Sequence, residues 1–257
     1  MIPNPWDVGT AVYLHHLGFQ GLATTSAGFA FARGLPDASP AISRDVMLDH
    51  IREIVKATPL PVNADFQAGY ADNAEGVAEN VTLCVATGVA GLSIEDATGD
   101  EASPLYERRA AVERVRAARR AIDATGMPVV LTARCEAWLV GVPEPQNIVL
   151  DRLVAYAEAG ADCLYAPGVY HLNAIAEIVK AVYPKPINVI VSKANSGLTV
   201  TTLRALGVRR ISTGSALARV AWGAFIRAAT SIRDTGSFDT LDGAAPFTAL
   251  DSVFART

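Results

Sequence analysis

The chain of 257 residues carries 22 basic against 26 acidic side chains and is 51% hydrophobic, which supplies a large core but no charge bias toward polyanions or membrane surfaces. No apolar run reaches the roughly 18–20 residues that a bilayer span requires, and the opening MIPNPWDVGT lacks the basic and apolar regions of a signal peptide. Cys84, Cys135 and Cys163 are widely spaced and read as free thiols of a reducing compartment, so a cytoplasmic protein without nucleic-acid or membrane partners is expected.

Along the chain, short apolar runs alternate with Ala- and Leu-rich helical stretches. Ile2-Pro3-Asn4 is barely the tail of a strand, followed by a helix over 8–17; either this stub is the first strand or the true start lies upstream. Strands are then predicted over 21–25, 61–65, 91–95, 129–133, 163–166, 187–191 and 210–213, each apolar on both faces as in a covered parallel sheet. Helices are predicted over 43–58, 74–87, 105–125, 148–159, 172–182 and 200–206, several closed by a glycine such as Gly88, Gly160 or Gly207. Such βα units without a linker, and with no G-x-G-x-x-G after any strand, predict an α/β fold: a (β/α)8 TIM barrel as a single domain over 1–257. Residues 214–257 form a C-terminal helical extension. Its apolar helix over 214–230, with Trp222 and Phe225, either packs on its own barrel or forms a swapped subunit contact.

In barrel enzymes the working residues lie at the C-terminal ends of strands. Those ends read Thr24-Thr25-Ser26, Asp65, Glu95-Asp96 and Arg134, with Asn188 at the start of a later strand. Carboxylates without a His or Cys cluster favour Mg²⁺ or Mn²⁺ over zinc, and Arg134 could grip a substrate carboxylate through two parallel hydrogen bonds. A lone strand-end Asp often only caps a helix; the coincidence of these residues on one rim favours a site.

The segments NPWDVGTA, GLATTSAG, ARGLPD, PVNADFQAGYAD, VAGLSIEDATGD, LTARCEAWL, AGADCLYAP, INVI and LGVRRISTGSALAR together resemble the isocitrate lyase/phosphoenolpyruvate mutase superfamily, from residue 4 to about residue 240. The resemblance implies enolate chemistry on Mg²⁺. It makes Asp65 the direct metal ligand, places Gln67 where a second acid usually stands, and puts Glu95 in the metal shell. It sets Asp37 near substrate and metal, Ser26, Ala27 and Gly28 around a substrate carboxylate, and Arg134 at the reacting charge. It further implies a homo-oligomer, dimer or tetramer, in which a late helix swaps between neighbours.

The departures narrow the activity. The family's lyases carry a K-[KR]-C-G-H loop after the third of these strands; here that stretch reads EDATGDEASPLYE, without Lys, Cys or His. Phosphonate enzymes of the family place cations in the same loop, and these too are missing. The expected activity is therefore a Mg²⁺-dependent carbon–carbon lyase or decarboxylase for a small 2-hydroxy or 2-oxo di- or tricarboxylic acid. A phosphonopyruvate hydrolase or mutase, or a carboxylate-binding protein without turnover, are the alternatives. Tyr70 is the best-placed proton donor, ahead of Tyr106, Glu107 and His171. Gln67 cannot supply the charge of the usual acid, so weak Mg²⁺ binding is expected.

Overall fold

The computed structural model describes residues 1–37 and 41–255. The elements run α1 (Val8–His16), β1 (Leu22–Ala23), α2 (Ser26–Ala32), α3 (Arg44–Lys56), β2 (Val62–Asp65), α4 (Ala74–Val85), β3 (Gly91–Glu95), α5 (Arg108–Thr125), β4 (Val130–Arg134) and α6 (Pro145–Glu158). They continue as β5 (Cys163–Tyr165), α7 (Leu172–Val182), β6 (Ile187–Ile190), α8 (Val200–Ala205), β7 (Arg210–Ser212) and α9 (Ala216–Thr235), then a 3-10 turn (Asp239–Gly243) and α10 (Phe247–Phe254). All neighbouring strands pair in parallel, in chain order.

The expected stub is real and closes the barrel. Ile2 pairs in parallel with Ser212 and its N–H donates to Ile211 O at 2.8 Å, while Ala23 N–H donates to Pro3 O at 3.0 Å, so these residues bridge β7 to β1. Asn4 locks the seam: its Nδ2 donates to Thr24 O at 2.8 Å, and its Oδ1 accepts from the N–H groups of Thr213 and Gly214, both at 2.9 Å.

The strands are not apolar on both faces, contrary to the sequence reading. Their outward residues, among them Val62, Leu92, Ile94, Leu131, Leu164 and Val189, are buried against the helices. Their inward residues include Asn63, Asp65, Ser93, Thr132, Asn188, Arg210 and Ser212, where barrels usually carry branched aliphatics. The helices turn apolar stripes to this shell: α7 buries Ile175, Ile178 and Val182, and α3 buries Met47, Leu48, Ile51 and Ile54 behind the N-cap Ser43.

Two elements depart from expectation. Ser26, Ala27 and Gly28, which the resemblance places around a substrate carboxylate, open an unexpected helix, α2, capped by Thr25. The helix expected over 214–230 runs as α9 to Thr235, with Ala218 its one buried residue; Trp222 is 39% and Phe225 61% exposed. Its first turn packs on the barrel through Leu217 and Ala218 and the rest of it is largely exposed, whereas α10 returns to α1 and buries Val253. The last two residues of the 214–257 extension lie outside the described residues.

Asn4→Ala leaves two N–H groups and a carbonyl at the seam without partners. A loss of about 1–3 kcal/mol is expected in urea unfolding, because an orphaned buried polar group costs its desolvation; an unchanged midpoint would show that the barrel closes without this residue.

Candidate active site

Arg134, the last residue of β4, lies at the centre. Its Nη1 is 3.1 Å from both Asp65 Oδ1 and Glu95 Oε2, and its Nε is 2.5 Å from Glu136 Oε1. The adjacent strand ends of β2, β3 and β4 thus converge on one buried guanidinium. Burial opposes its charge, but Glu136, Glu95 and Asp65 outweigh this and hold its proton well above the ordinary arginine range. The same crowding acts in reverse on the acids. Burial, with Glu136, Asp65 and Asp37 adding to it against the pull of Arg134, pushes Glu95 up to about 8. Burial likewise raises Glu136.

The remaining sequence candidates surround this cluster in two connected chambers of about 360 and 610 Å³, both bounded by Ser26, Asp37, Arg134 and Leu139. Gln67, Tyr70 and Glu95 line the outer chamber; Ala27, Asp65 and Asn188 line the inner one. Asp37 lies exposed at the rim, and partial desolvation of its carboxyl on the chamber side, followed by Asp65, raises it against Ser26 and Arg134. Gln67 and Tyr70 sit at φ +46° and +55°, an unusual backbone for non-glycine residues and one that marks a constrained turn. The Tyr70 hydroxyl is buried without a partner among the described residues, and burial followed by Asp65, Glu95 and Asp37 raises it, so the phenol keeps its proton.

Several expectations need correction. Of the three residues expected around a substrate carboxylate, Ser26 N–H already donates to Asp65 Oδ2 at 3.0 Å and Gly28 N–H to Thr25 Oγ1 at 3.2 Å. Gly28 is a packing position, since a Cβ there would meet Thr25 Cγ2 at 2.6 Å and Trp6 Cβ at 3.1 Å. Asn188 lies, as expected, at the start of its strand, the second residue of β6, and is buried inside the barrel. Asp96 is structural: it accepts from Tyr156 Oη at 2.6 Å, Arg152 Nη1 at 3.0 Å and Glu136 N–H at 2.8 Å, fixing the β4 exit that carries Glu136. His171 caps α7 at the exposed surface, and Glu107 is the exposed N-cap residue of α5.

Glu136, Tyr165 and Arg210 were missed. Alternation along β5 and β7 could have found the last two as inward residues, and the strand-end rule extended by two residues could have found the first.

Among the described residues, no group of three His, Cys, Asp or Glu side chains is arranged to enclose a metal. Asp65 and Glu95 nonetheless fit Mg²⁺, which takes few protein ligands and retains water. Two carboxylates and Glu136 share one guanidinium, so further positive charge is wanted here. No helix of the described residues is long and apolar enough to cross a membrane.

Glu95 gives a pH signature in the absence of metal. Its folded pKa lies above the unfolded value, so the folded state binds the extra proton. Its contribution is complete below about pH 4.5 and is lost as pH rises through about 8, with a slope of at most about 1.4 kcal/mol per pH unit. Urea titrations should show this fall in wild type and a flatter profile in Glu95→Gln; identical slopes would remove Glu95 as the cause.

The sequence profile of the phosphoenolpyruvate phosphomutase family matches residues 1–233. The 2-methylisocitrate lyase of Salmonella typhimurium is 33% identical over 66% of this chain and 60% of its own length. The oxaloacetate decarboxylase of Rhodopseudomonas palustris (strain BisB5) is 30% identical over 92% of this chain and 81% of its own. A solved Burkholderia cenocepacia J2315 protein, described as a candidate lyase or mutase, superposes with a TM-score of 0.94 at 48% identity, covering 99% of this chain and 90% of that one. The chain belongs to the phosphoenolpyruvate phosphomutase family, within the isocitrate lyase/phosphoenolpyruvate mutase superfamily, and is a lyase-type enzyme of that group.

Proposed function

We propose that the protein is a Mg²⁺-dependent carbon–carbon lyase or decarboxylase for a small 2-hydroxy or 2-oxo di- or tricarboxylic acid, of the 2-methylisocitrate lyase or oxaloacetate decarboxylase kind. The observation that carries this reading is Arg134, held rigidly by three carboxylates on the boundary of two chambers. When a carbon–carbon bond beside a carbonyl breaks, its electron pair becomes negative charge on oxygen. A fixed guanidinium stabilises that charge without reorganising. Bound at Asp65 and Glu95, with Gln67 alongside, Mg²⁺ would add Lewis-acid stabilisation of the same charge.

The chain's own residues supply the rest. Ser26 and Ala27, at the start of α2, and Asp37 bound the substrate on one side, Asn188 on the other. Tyr70, a protonated phenol that lines the outer chamber with Glu95 and Glu136, is the candidate proton donor in place of the missing loop cysteine. The flap after β3 is short and pinned: Ala97 pairs with Leu105, and Tyr106 N–H donates to Asp96 O at 2.9 Å. It presents no Lys, Cys or His between Asp96 and Glu107, which disfavours phosphoryl transfer.

Incubation with malate-, oxaloacetate- and methylisocitrate-sized acids and Mg²⁺ should release pyruvate or another 2-oxo acid. EDTA, Asp65→Ala and Arg134→Lys should each lower turnover at least about 100-fold, the scale of losing a preorganised charge-stabilising group. Turnover indifferent to all three would refute the reading, and carboxylate-induced thermal stabilisation without product would favour the binding-protein alternative. Gln67→Glu should tighten Mg²⁺ binding in calorimetry, since it restores an acid where wild type has an amide; no change would remove the amide as the reason for weak binding.

The exposed apolar face of α9, with Val220, Trp222, Phe225 and Ile226, is the surface expected to join copies into a dimer or tetramer. Phe225→Glu should shift sedimentation toward the monomer; an unchanged oligomer would place the contact elsewhere.

A further inference from the structure

We infer that Arg114 is a positioning residue for this site: it holds the turn that carries Gln67 and Tyr70 and ties that turn to the root of the flap after β3. The roles of Gln67 beside the metal and of Tyr70 as proton donor rest on the proposed function, whereas the anchoring of the turn is read from the protein alone.

Between Asp65, the end of β2, and Asn73, the N-cap of α4, the residues Gln67, Gly69 and Tyr70 sit at φ +46°, +80° and +55°. Two of these carry side chains in the left-handed region, a conformation that persists only where the surroundings over-determine it. Here they do, because every carbonyl from Phe66 to Asp72 has a donor. Phe66 O accepts from Gly69 N–H at 2.9 Å, and Gln67 O from Glu95 N–H at 3.0 Å. Asn80 Nδ2, on α4, donates to Gly69 O at 2.9 Å and to Tyr70 O at 3.0 Å. Arg114, on α5, takes the other three: Nη2 donates to Ala68 O at 2.5 Å and Ala71 O at 2.9 Å, and Nη1 to Asp72 O at 3.0 Å. Gln67, Tyr70 and Ala71 line the outer chamber, whereas Arg114 and Asn80 do not, so the turn is held from behind.

Both anchors are themselves fixed. Arg44 Nη1 donates to Asn80 Oδ1 at 2.9 Å, and a guanidinium can only donate, so the amide hydrogens of Asn80 are left for the turn. Arg114 is 3% exposed, and its guanidinium lies 4.0 Å from the centroid of the Tyr106 ring. Tyr106 is the flap root: its N–H donates to Asp96 O at 2.9 Å and its carbonyl accepts from Arg152 Nη2 at 2.8 Å. A planar guanidinium can spread donors over three carbonyls while giving its face to a ring; the compact ammonium of a lysine cannot. The flap root and the turn therefore share one side chain, and the backbone that aims Gln67 and Tyr70 is set by a residue outside the chamber.

Amide hydrogen exchange of the full chain tests the anchor without a ligand. In Arg114→Lys the Gly69 and Glu95 amides, bonded to Phe66 O and Gln67 O, should exchange at least about tenfold faster, while Cys135 N–H, bonded to Tyr165 O, keeps its wild-type rate. Asn80→Ala should give the same pattern if Arg114→Lys does not fold. Acceleration at all three amides is a loss of general stability and overturns the positioning role, as do unchanged rates in both variants. Tyr106→Leu, which keeps the flap backbone, should speed Gly69 exchange as well; an effect confined to flap amides overturns the tie. Calorimetry with Mg²⁺ alone separates the anchor from the site it serves. Arg114→Lys should weaken binding at least about threefold, and should weaken it no further in a Gln67→Ala background. An equal loss with and without Gln67 overturns positioning through that residue. Faster Gly69 exchange with unchanged Mg²⁺ affinity supports the anchor and counts against the place of Gln67 beside the metal.

Discussion

One guanidinium shared by three carboxylates governs the upper half of this barrel. Arg134 satisfies Asp65, Glu95 and Glu136 only in part, because one positive charge faces three negative ones in a buried setting. Removing either kind of partner from such a cluster leaves charge uncompensated, which is costly where water cannot screen it. The rise of Glu95 to about 8 is the protein's own response: near neutral pH the cluster keeps a proton in place of a second cation. A dication entering this space would displace that proton and leave the arginine free to face the substrate. Under the proposed reading the cluster would serve as an anion-rich metal site and a cationic substrate clamp in one arrangement.

Much of the fold was legible because its signals are periodic. Every strand of the sheet was expected near its observed place, and the strand-end rule located Asp65, Glu95 and Arg134 before any geometry was known. The failures have specific causes. No helix was expected over Ser26–Ala32, yet Thr25 caps it and Gly28 lets it pack against Trp6. Gly28 and two backbone N–H groups were assigned to ligand binding by family pattern, whereas local contacts occupy them. Asp96, adjacent to Glu95, carries the same charge but faces Arg152 and Tyr156 on α6, a difference that strand alternation encodes and composition does not.

The polar interior was the larger surprise. Reading the strands as apolar on both faces treats a barrel as a sandwich of helices around oil, and the outward residues obey it. The inward layer instead carries two asparagines, serines, a threonine and an arginine, all on alternate positions. Burying such groups is tolerable only when they partner one another, and Arg210 does this by reaching from β7 to β2 and β4. Its side chain substitutes for an aliphatic layer as a cross-brace, at the expense of an uncancelled charge. Arg210 falls within the segment LGVRRISTGSALAR, but its cross-bracing cannot be read there, because the residues it contacts lie 22 to 147 positions away in the chain.

The seam joins these two halves to the outside. Asn4 Oδ1 accepts from Thr213 and Gly214, the residues between β7 and α9, so the end of the last strand and the start of the long helix are fixed to the stub that closes the barrel. Ser215 and Arg219, at the start of α9, line the inner chamber, while the rest of that helix exposes Val220, Phe225 and Ile226. A surface that covers the helix therefore bears on a rigid rod whose first turn is a wall of the cavity. Because packed elements transmit displacement instead of absorbing it, the shape of the inner chamber is tied to how α9 is held, and an isolated chain and an assembled one need not present the same cavity to a substrate.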